Sequence, residues 1–212
     1  MLRNYKHIIW DWNGTLLNDA WLNLDVMNGL LRDRNMPTMS VERYMAVFDF
    51  PVIDYYRRLG FDFEVEPFEK VGTEFIVEYE RRRHECELQD GARSLLDRIR
   101  EAGLQQSILS AYQHNTLEEM LREHGIMELF DHVMGLGDHY AASKLALGHE
   151  LMKEVQAEPH ECLLIGDTAH DHEVATAIGA DCLLIPSGNH SKERLEECGG
   201  RVVDHVNLLA VE

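Results

Sequence analysis

Residues 7–19 read HIIWDWNGTLLND, and this stretch decides how the rest of the chain is interpreted. A short apolar run at 8–10 ends in Asp11, and Gly14 follows within three residues. This pattern is typical of a buried strand that delivers a carboxylate to the edge of a sheet. The next hydrogen-bonding side chain, Asn13, is an amide at a place where acid–base chemistry would favour a second acid. The stretch therefore predicts a working enzyme, a slowed enzyme or a binding protein built on an enzyme's frame.

Beyond residue 90 the chain alternates short apolar runs with segments of helical periodicity. Apolar runs that lack polar alternation indicate strands covered on both faces. Strands and helices that alternate at this spacing predict right-handed crossovers and a parallel sheet, which the strand at 7–11 joins. We therefore expect an α/β fold with a three-layer, Rossmann-like core. The predicted strands are 106–112, 131–136, 161–167 and 181–187, and the predicted helices are 115–125, 143–155, 172–180 and 192–199.

Residues 19–89 show a different pattern, with helical spacing throughout and no apolar run of the buried-strand type. The first helical stretch, at 20–35, ends before Pro37. We expect an all-helical segment inserted between the first strand and the rest of the sheet. The predicted division is a core made of 1–18 and 90–212, with the helical segment at 19–89.

The composition limits the classes of partner. The formal charge of −18 over 212 residues argues against nucleic acids and anionic membranes, which both require basic surface. The sequence has neither an apolar run of membrane-spanning length nor a signal-peptide pattern, so we expect a soluble, cytoplasmic protein. Its four cysteines form no close-spaced pair of metal ligands and fit a reducing compartment.

Polar side chains follow several predicted strands, at the edge where ligands bind in open parallel sheets. The first strand ends in Asp11, the second in Ser110 and the fourth in Asp167, with Asp171 four residues later. Lys144 begins the helix after the third strand. Three converging carboxylates would repel one another, and a hard cation such as Mg²⁺ would offset that repulsion. The hydroxyl and the ammonium suit a phosphate, so the sequence predicts a site for Mg²⁺ and a phosphorylated ligand.

These motifs in this order resemble those of the haloacid dehalogenase superfamily. The matching pieces are DWNGT at 11–15, the strand ending in Ser110, SK at 143–144 and GDTAHD at 166–171. Further stretches, such as DGARSLLDRIREAG, are most similar to the phosphoglycolate phosphatase-like branch. The resemblance implies a Mg²⁺-dependent phosphohydrolase for a small phosphorylated metabolite. It also implies that the helical segment at 19–89 is a cap.

The resemblance also implies roles for individual residues. Asp11 would be the nucleophile that forms an aspartyl-phosphate, and Lys144 would take part in catalysis. Mg²⁺ would be held by Asp11, the backbone carbonyl of Asn13, Asp167 and Asp171. The phosphate would be bound by Asp11, Trp12, Asn13, Gly14, Ser110, Ala111 and Lys144.

The main departure from the family pattern is Asn13. Phosphatases of this family usually have an aspartate there, which protonates the leaving group and later activates water. An amide cannot exchange that proton, and its loss is worth about 10²- to 10⁴-fold in rate. His170 or His114 is a candidate substitute, and a good leaving group would need no proton. The alternative is a catalytically weak or inactive protein that binds a phosphorylated metabolite and regulates another process.

The helical segment is expected to set substrate specificity because a cap closes over the site and excludes water. Its aromatic side chains either line the substrate pocket or form the core of the segment itself. These side chains are Tyr44, Phe48, Phe50, Tyr55 and Tyr56. The sequence fits more than one small phosphorylated metabolite and more than one oligomeric state.

Overall fold

A computed structural model describes residues 1–137 and 143–211. Within these ranges the chain forms a parallel sheet of six strands in the order β3-β2-β1-β4-β5-β6. The predicted α/β fold with a parallel core is thereby confirmed, and a short sixth strand is added to the five expected. The strands are β1 (His7–Trp10), β2 (Gln105–Gln113), β3 (His132–Leu136), β4 (Cys162–Gly166), β5 (Asp181–Leu184) and β6 (Arg201–Val202).

Helices cover both faces of the sheet, which explains why its central strands are apolar without alternation. Ile8 and Trp10 pack on the face covered by α5 (Ala92–Glu101) and α6 (His114–Glu123). Ile9 packs on the opposite face against α7 (Lys144–Glu154) and α8 (Ala169–Ile178). A last helix, α9 (Lys192–Glu197), precedes β6. None of the helices in the described ranges is both long and apolar enough to cross a membrane.

The insertion between β1 and α5 is helical, as expected from its sequence pattern. Its helices are α1 (Ala20–Asp33), α2 (Val41–Val47), α3 (Val52–Leu59) and α4 (Phe68–Arg82). They enclose an apolar cluster of their own, which includes Met27, Tyr44, Tyr55, Tyr56 and Val71. Three of the five aromatic side chains singled out from the sequence are therefore buried inside the insertion.

The structure differs from the expected boundaries around Ser110. β2 continues to Gln113, but its pairing with β1 ends at Ile108 and its register with β3 shifts after Leu109. Ser110 therefore lies where the sheet pairing is interrupted, although the strand itself continues. The helix that follows begins one residue early, because the side chain of Gln113 caps it by accepting from the Thr116 N–H.

Candidate active site

Three buried carboxylates meet at the carboxyl ends of β1 and β4. Asp11 directly follows β1, Asp167 directly follows β4, and Asp171 lies in the first turn of α8. One carboxylate oxygen from each lies within 4.8 Å of the other two. The Asp11 N–H donates to the Ile165 carbonyl at 2.9 Å, which fixes the two strand ends relative to each other. The structure thus brings the predicted acidic residues together.

Two glycines permit this close approach. Gly14 has φ +79°, and a Cβ there would lie 2.3 Å from the Asp167 carboxylate. A Cβ at Gly166 would lie 2.2 Å from the Asp171 carboxyl carbon. A side chain at either position would displace one of the acids, so the glycines of the GT and GD pairs are steric requirements of the acidic centre.

Lys144 supplies the positive charge of the centre. It is the first residue of α7, after Ser143, whose hydroxyl caps the helix by accepting from the Ala146 N–H. The buried ammonium donates to Asp171 Oδ1 at 2.5 Å and also to Asp11 Oδ1. A fully buried amine is costly unless it is paired, so these two bonds fix both the lysine and the two acids.

The pKa values of the acids show how crowded the centre is. Burial raises the pKa of Asp11 to about 6, with the charge of Lys144 opposing this shift and that of Asp171 adding to it. Burial also raises the pKa of Asp167 far above its ordinary range, and the charges of Asp11 and Asp171 add to the effect. For Asp171 burial acts in the same direction, but the charge and hydrogen bond of Lys144 outweigh it and lower the pKa. An oxygen-rich centre of this kind fits a hard divalent cation.

Asn13 is held between the core and the insertion. Its Nδ2 donates to Asp19 Oδ2 at 2.8 Å and to the Tyr79 hydroxyl at 2.9 Å. Asp19 is fully buried and also accepts from the Gly14 N–H at 2.7 Å and the Tyr79 hydroxyl at 2.7 Å. The Asn13 amide therefore acts as a structural donor to a buried carboxylate, a role that a carboxylate at position 13 would not fill.

The predicted phosphate-binding residues divide between the cleft and the core. Ser110 and Ala111 line the cleft above the acids. The Ser110 oxygen accepts from the Tyr112 N–H at 3.1 Å, which leaves its own O–H to donate to a ligand. The Trp12 side chain lies instead in the core and packs on His124, with ring centroids 5.9 Å apart. Only the backbone of Trp12 is near the centre, where its N–H bonds to the Asp11 carboxylate and lowers the pKa of that acid.

The two candidate histidines occupy different places. His170 lines the cleft, lies 3.2 Å from a Glu173 oxygen, and packs on Phe50 with ring centroids 5.4 Å apart. His114 is not among the described cleft residues. Its Nδ1 accepts from the Gly135 N–H at 3.4 Å. The structure therefore brings only His170 of the two to the site.

Asn189 is a site residue that sequence reasoning missed. Its backbone N–H and its side-chain Nδ2 donate to Asp167 Oδ2 at 2.6 and 3.0 Å. The Tyr44 hydroxyl of the insertion donates to Asn189 Oδ1 at 2.6 Å. The polar stretch SGNH at 187–190 follows the fifth predicted strand, so the strand-end rule applied to the other strands would have found it. Two further missed residues bond to the site acids, Thr15 to Asp11 and Thr168 to Asp171. Asp19 and Tyr79 were also missed, and they bond to each other and to Asn13.

The sheet and the acidic centre at its carboxyl edge define a class, an α/β core with three buried carboxylates at the ends of parallel strands. The particular family follows from sequence comparison. A family model described as haloacid dehalogenase-like hydrolase matches residues 8–185. The chain belongs to this family, and the predicted membership is confirmed.

The chain is similar to a protein named as a kinase and to proteins named as phosphatases. Tyrosine-protein kinase PtkA of Mycobacterium tuberculosis is 23% identical over 204 residues, which cover 95% of this chain and 69% of that protein. Phosphoglycolate phosphatase of Synechococcus elongatus is 22% identical over 192 residues, with 89% and 87% covered. Among solved structures, a haloacid dehalogenase-like hydrolase of Streptococcus pneumoniae superposes with a TM-score of 0.82 at 18% identity and covers 97% of this chain and 96% of that one.

Proposed function

We propose that the protein is a Mg²⁺-dependent phosphatase that acts on a small phosphorylated metabolite through a phosphate ester on Asp11. One observation carries the proposal. The buried Asp11 carboxylate is paired with Lys144, lies within 4.8 Å of two further acids, and opens into a cleft of about 700 Å³. A cleft of this size takes a small molecule. The family membership and the relatives named as phosphoglycolate phosphatases support phosphate ester hydrolysis.

The donor set fits Mg²⁺. Asp11, Asp167 and Asp171 would hold the ion together with the backbone carbonyl of Asn13. The bound ion supplies positive charge that offsets the carboxylates and the substrate phosphate together. The raised pKa of Asp167 supports this assignment, because it reflects a carboxylate that is buried away from water beside the like charges of Asp11 and Asp171.

The remaining steps use the protein's own side chains. Asp11 attacks the phosphorus atom as the bond from phosphorus to the ester oxygen breaks and the alcohol or phenol portion departs. Lys144 and Thr15 orient the attacking carboxylate. The Ser110 hydroxyl and the Lys144 ammonium bind phosphate oxygens and offset their charge. Water then attacks the phosphorus of the aspartyl-phosphate, which releases inorganic phosphate and restores the Asp11 carboxylate. Asn13 holds the loop but cannot donate a proton to the leaving group.

We further propose that residues 19–89 form a cap over a core made of 1–18 and 90–212, of which 138–142 and 212 lie outside the described residues. Two hydrogen-bonded contacts support this arrangement, Tyr79 with the loop after β1 and Tyr44 with Asn189. The cap contributes Phe48 and Phe50 to the cleft lining. The free thiols of all four cysteines support a cytoplasmic location as part of the same proposal.

A second candidate function is the binding of a phosphorylated metabolite without turnover. Its support is Asn13, whose amide is engaged with Asp19 and Tyr79 and does not act as an acid. The acidic centre argues for the enzyme, because binding alone would not require an attacking carboxylate held by a buried lysine. The two functions differ in one measurable property, the release of inorganic phosphate.

A panel of phosphorylated metabolites, assayed with and without Mg²⁺, separates these functions. We expect Mg²⁺-dependent phosphate release that Asp11→Asn lowers by more than about 10³-fold, as expected for loss of a nucleophile. Asp90→Asn is the matched control, because Asp90 is exposed and lies outside the cleft lining. Beryllium fluoride should form a phosphate mimic on Asp11 in a crystal.

Two outcomes would contradict the proposal. Activity in Asp11→Asn close to that of the parent would exclude the covalent mechanism. Saturable binding of a phosphorylated metabolite with no phosphate release would favour the binding function. The panel includes ATP with a tyrosine peptide, because one relative bears the name of a tyrosine kinase. Labelling of that peptide would replace the hydrolase with a transferase.

A further inference from the structure

We propose that the leaving group of the substrate is a phenol, so that the protein hydrolyses aryl phosphate monoesters, the class that includes phosphorylated tyrosine. This inference rests on the proposed phosphatase function and names its substrate class. It follows from three features of the cleft: its lining, its charges and the amide at position 13.

The lining of the cleft next to the acids is apolar and aromatic. The insertion contributes Phe48 and Phe50 from the segment after α2, and Phe75 and Ile76 from α4. The sheet contributes Tyr112, which packs edge-on against Tyr79 with ring centroids 6.1 Å apart. These residues line the same cleft as Asp11, so the group attached to the phosphate would contact aromatic surface. Such surface favours a flat apolar ring over a small charged acid.

The described lining offers no free cation for a substrate carboxylate. Lys144 is bonded to Asp11 and Asp171, and His170 lies against Glu173. The five residues at 138–142, DHYAA, include neither lysine nor arginine.

The one acid in the aromatic part of the described lining is already satisfied. Glu80 accepts from the Tyr112 hydroxyl, and its other oxygen lies 3.2 Å from the Arg83 guanidinium. A carboxylate on the substrate would be repelled by Glu80 and would have no cation to pair with. An ammonium on the substrate would find both Glu80 oxygens already bonded. The cleft therefore selects a substrate whose organic group carries no charged substituent.

The amide at position 13 also favours a phenol as the leaving group. Without a proton donor, the ester oxygen must leave as an anion. A phenol has a pKa of about 10. The pKa of an alcohol is close to that of water, about 16. A phenolate is therefore a far better leaving group in a site without a general acid.

The reaction balances with water as its only co-reactant. Asp11 Oδ forms a bond to phosphorus as the bond from phosphorus to the aryl oxygen breaks. The phenolate departs with the electron pair and takes a proton from solvent water. A water oxygen then bonds to phosphorus, the bond to Asp11 breaks, and inorganic phosphate is released.

Three substrates separate ring binding from leaving-group chemistry. Phenyl phosphate has both the ring and the phenolate, benzyl phosphate has the ring with an alkoxide, and phosphoglycolate has neither. We expect phenyl phosphate to exceed benzyl phosphate in kcat/KM by about 10²-fold or more, the usual contribution of a general acid. This ratio reports departure of the leaving group, whereas hydrolysis of the aspartyl-phosphate is common to both esters. The two should bind the inactive Asp11→Asn variant with similar Kd values, because both rings contact the same aromatic lining. A short peptide with phosphorylated tyrosine, assayed beside phenyl phosphate, distinguishes a protein-borne source from a free one.

A pair of variants on α4 tests the position of the ring. Ile76 lines the cleft and is 60% exposed, while its neighbour Val77 is 62% exposed and absent from the lining. Ile76→Lys places a charge where the ring is proposed to lie, so KM for phenyl phosphate should rise by about tenfold, within the range for a charge left unpaired in an apolar contact. Val77→Lys makes the same chemical change on the same helix and should leave KM unchanged.

The outcomes distinguish this inference from the proposed function. Faster Asp11-dependent hydrolysis of phosphoglycolate than of phenyl phosphate would overturn the inference and keep the phosphatase. Equal effects of Ile76→Lys and Val77→Lys on KM would also overturn it. If none of these esters releases phosphate in the presence of Mg²⁺ while another metabolite of the panel does, the inference fails and the phosphatase stands. Release from no member of the panel contradicts the phosphatase itself.

Discussion

The half of the cleft formed by the sheet and the half formed by the insertion hold their residues in different ways. In the sheet half, Asp11, Lys144 and Asp171 form a chain of buried charged contacts, and Asp167 is fixed by Asn189. In the insertion half, Phe48, Phe50 and Ile76 present apolar surface and make no hydrogen bonds through their side chains. Under the proposed function, the first half would determine which atom reacts, and the second would determine which organic group the phosphate can carry.

This difference predicts how substitutions in each half should affect stability and activity. Removal of a charged partner in the sheet half leaves another buried charge uncompensated, which is costly for both stability and chemistry. Substitution in the insertion half changes contact area and polarity, so its effects are smaller and depend on the substrate. Asn13, Asp19 and Tyr79 lie where the two halves meet. Three experiments on and around this junction follow, from the largest expected effect to the smallest.

The largest effect is expected from restoring an acid at the junction. Asn13→Asp introduces a carboxyl where the Asn13 amide now lies 2.8 Å from Asp19 Oδ2. Two carboxyls at that separation share a proton, so the single variant should gain little. Asn13→Asp combined with Asp19→Ser removes the competing charge, and kcat on benzyl phosphate should rise by about 10²- to 10⁴-fold. Phenyl phosphate should gain much less in kcat/KM, the parameter that reports departure of the leaving group.

Steady-state kinetics on both esters measure this effect, with Asp19→Ser alone as the control. If kcat on benzyl phosphate is unchanged in both Asn13 variants while Mg²⁺ and phosphate still bind, another group supplies the proton. His170 is the described histidine in the cleft and would then be the next residue to substitute.

The second effect concerns metal and pH in the sheet half. Asp11 has a pKa raised to about 6 and Asp167 one raised further above its ordinary range, so protons compete with Mg²⁺. Apparent Mg²⁺ affinity should therefore rise by up to about tenfold per pH unit for each acid that must lose a proton. Because both folded-state values are raised, the metal-free protein should lose stability as pH rises from about 4 through 6 and above.

Thermal unfolding at fixed Mg²⁺ between pH 5.5 and 8 measures this dependence. The increase in Tm caused by Mg²⁺ should grow with pH, and Asp167→Ala should abolish it at every pH. An equal increase at all pH values would show that these acids do not hold the ion. An unchanged midpoint at saturating Mg²⁺ would count against the metal site itself.

The smallest effect is expected from a hydroxyl at the junction. Tyr79→Phe removes one donor to the buried Asp19 and one acceptor for Asn13, and should destabilise the protein by about 1–3 kcal/mol. The rate on phenyl phosphate should fall only a few-fold, because the acids are untouched. Tyr55→Phe is the matched control, since the Tyr55 hydroxyl is buried and has no hydrogen-bond partner within the described chain. Equal losses of Tm in the two variants would show that the Tyr79 hydrogen bonds do not stabilise the protein.

The sheet half could be predicted from the sequence because its acids follow strands directly. Asp11 and Asp167 each end an apolar run, and parallel strands end at one edge, so local pattern implies their proximity. The same rule placed Ser110 at the site, although the strand continues past it. Asn189 satisfies the rule as well, since it lies just beyond the fifth strand and donates to Asp167.

The junction could not be predicted in this way. Asp19 precedes α1 and has the sequence character of a helix cap, yet its side chain makes no capping bond. It accepts instead from Gly14 and from Tyr79, which lies 60 residues further along the chain. That contact depends on how α4 packs, and helical periodicity gives the buried face of a helix without naming the residue it will meet.

The position of Asp19 also affects the chemical ageing of the protein. An asparagine before a glycine is prone to lose its amide when the glycine nitrogen attacks the side-chain carbonyl, one reason asparagine counts among the heat-labile residues. Here one oxygen of Asp19 binds the Gly14 N–H and the other binds the Asn13 amide, so both reacting groups are held in place. The Asp19 carboxylate thereby protects the amide beside it. Without Asp19, storage alone would slowly convert position 13 into the acid that the sequence lacks.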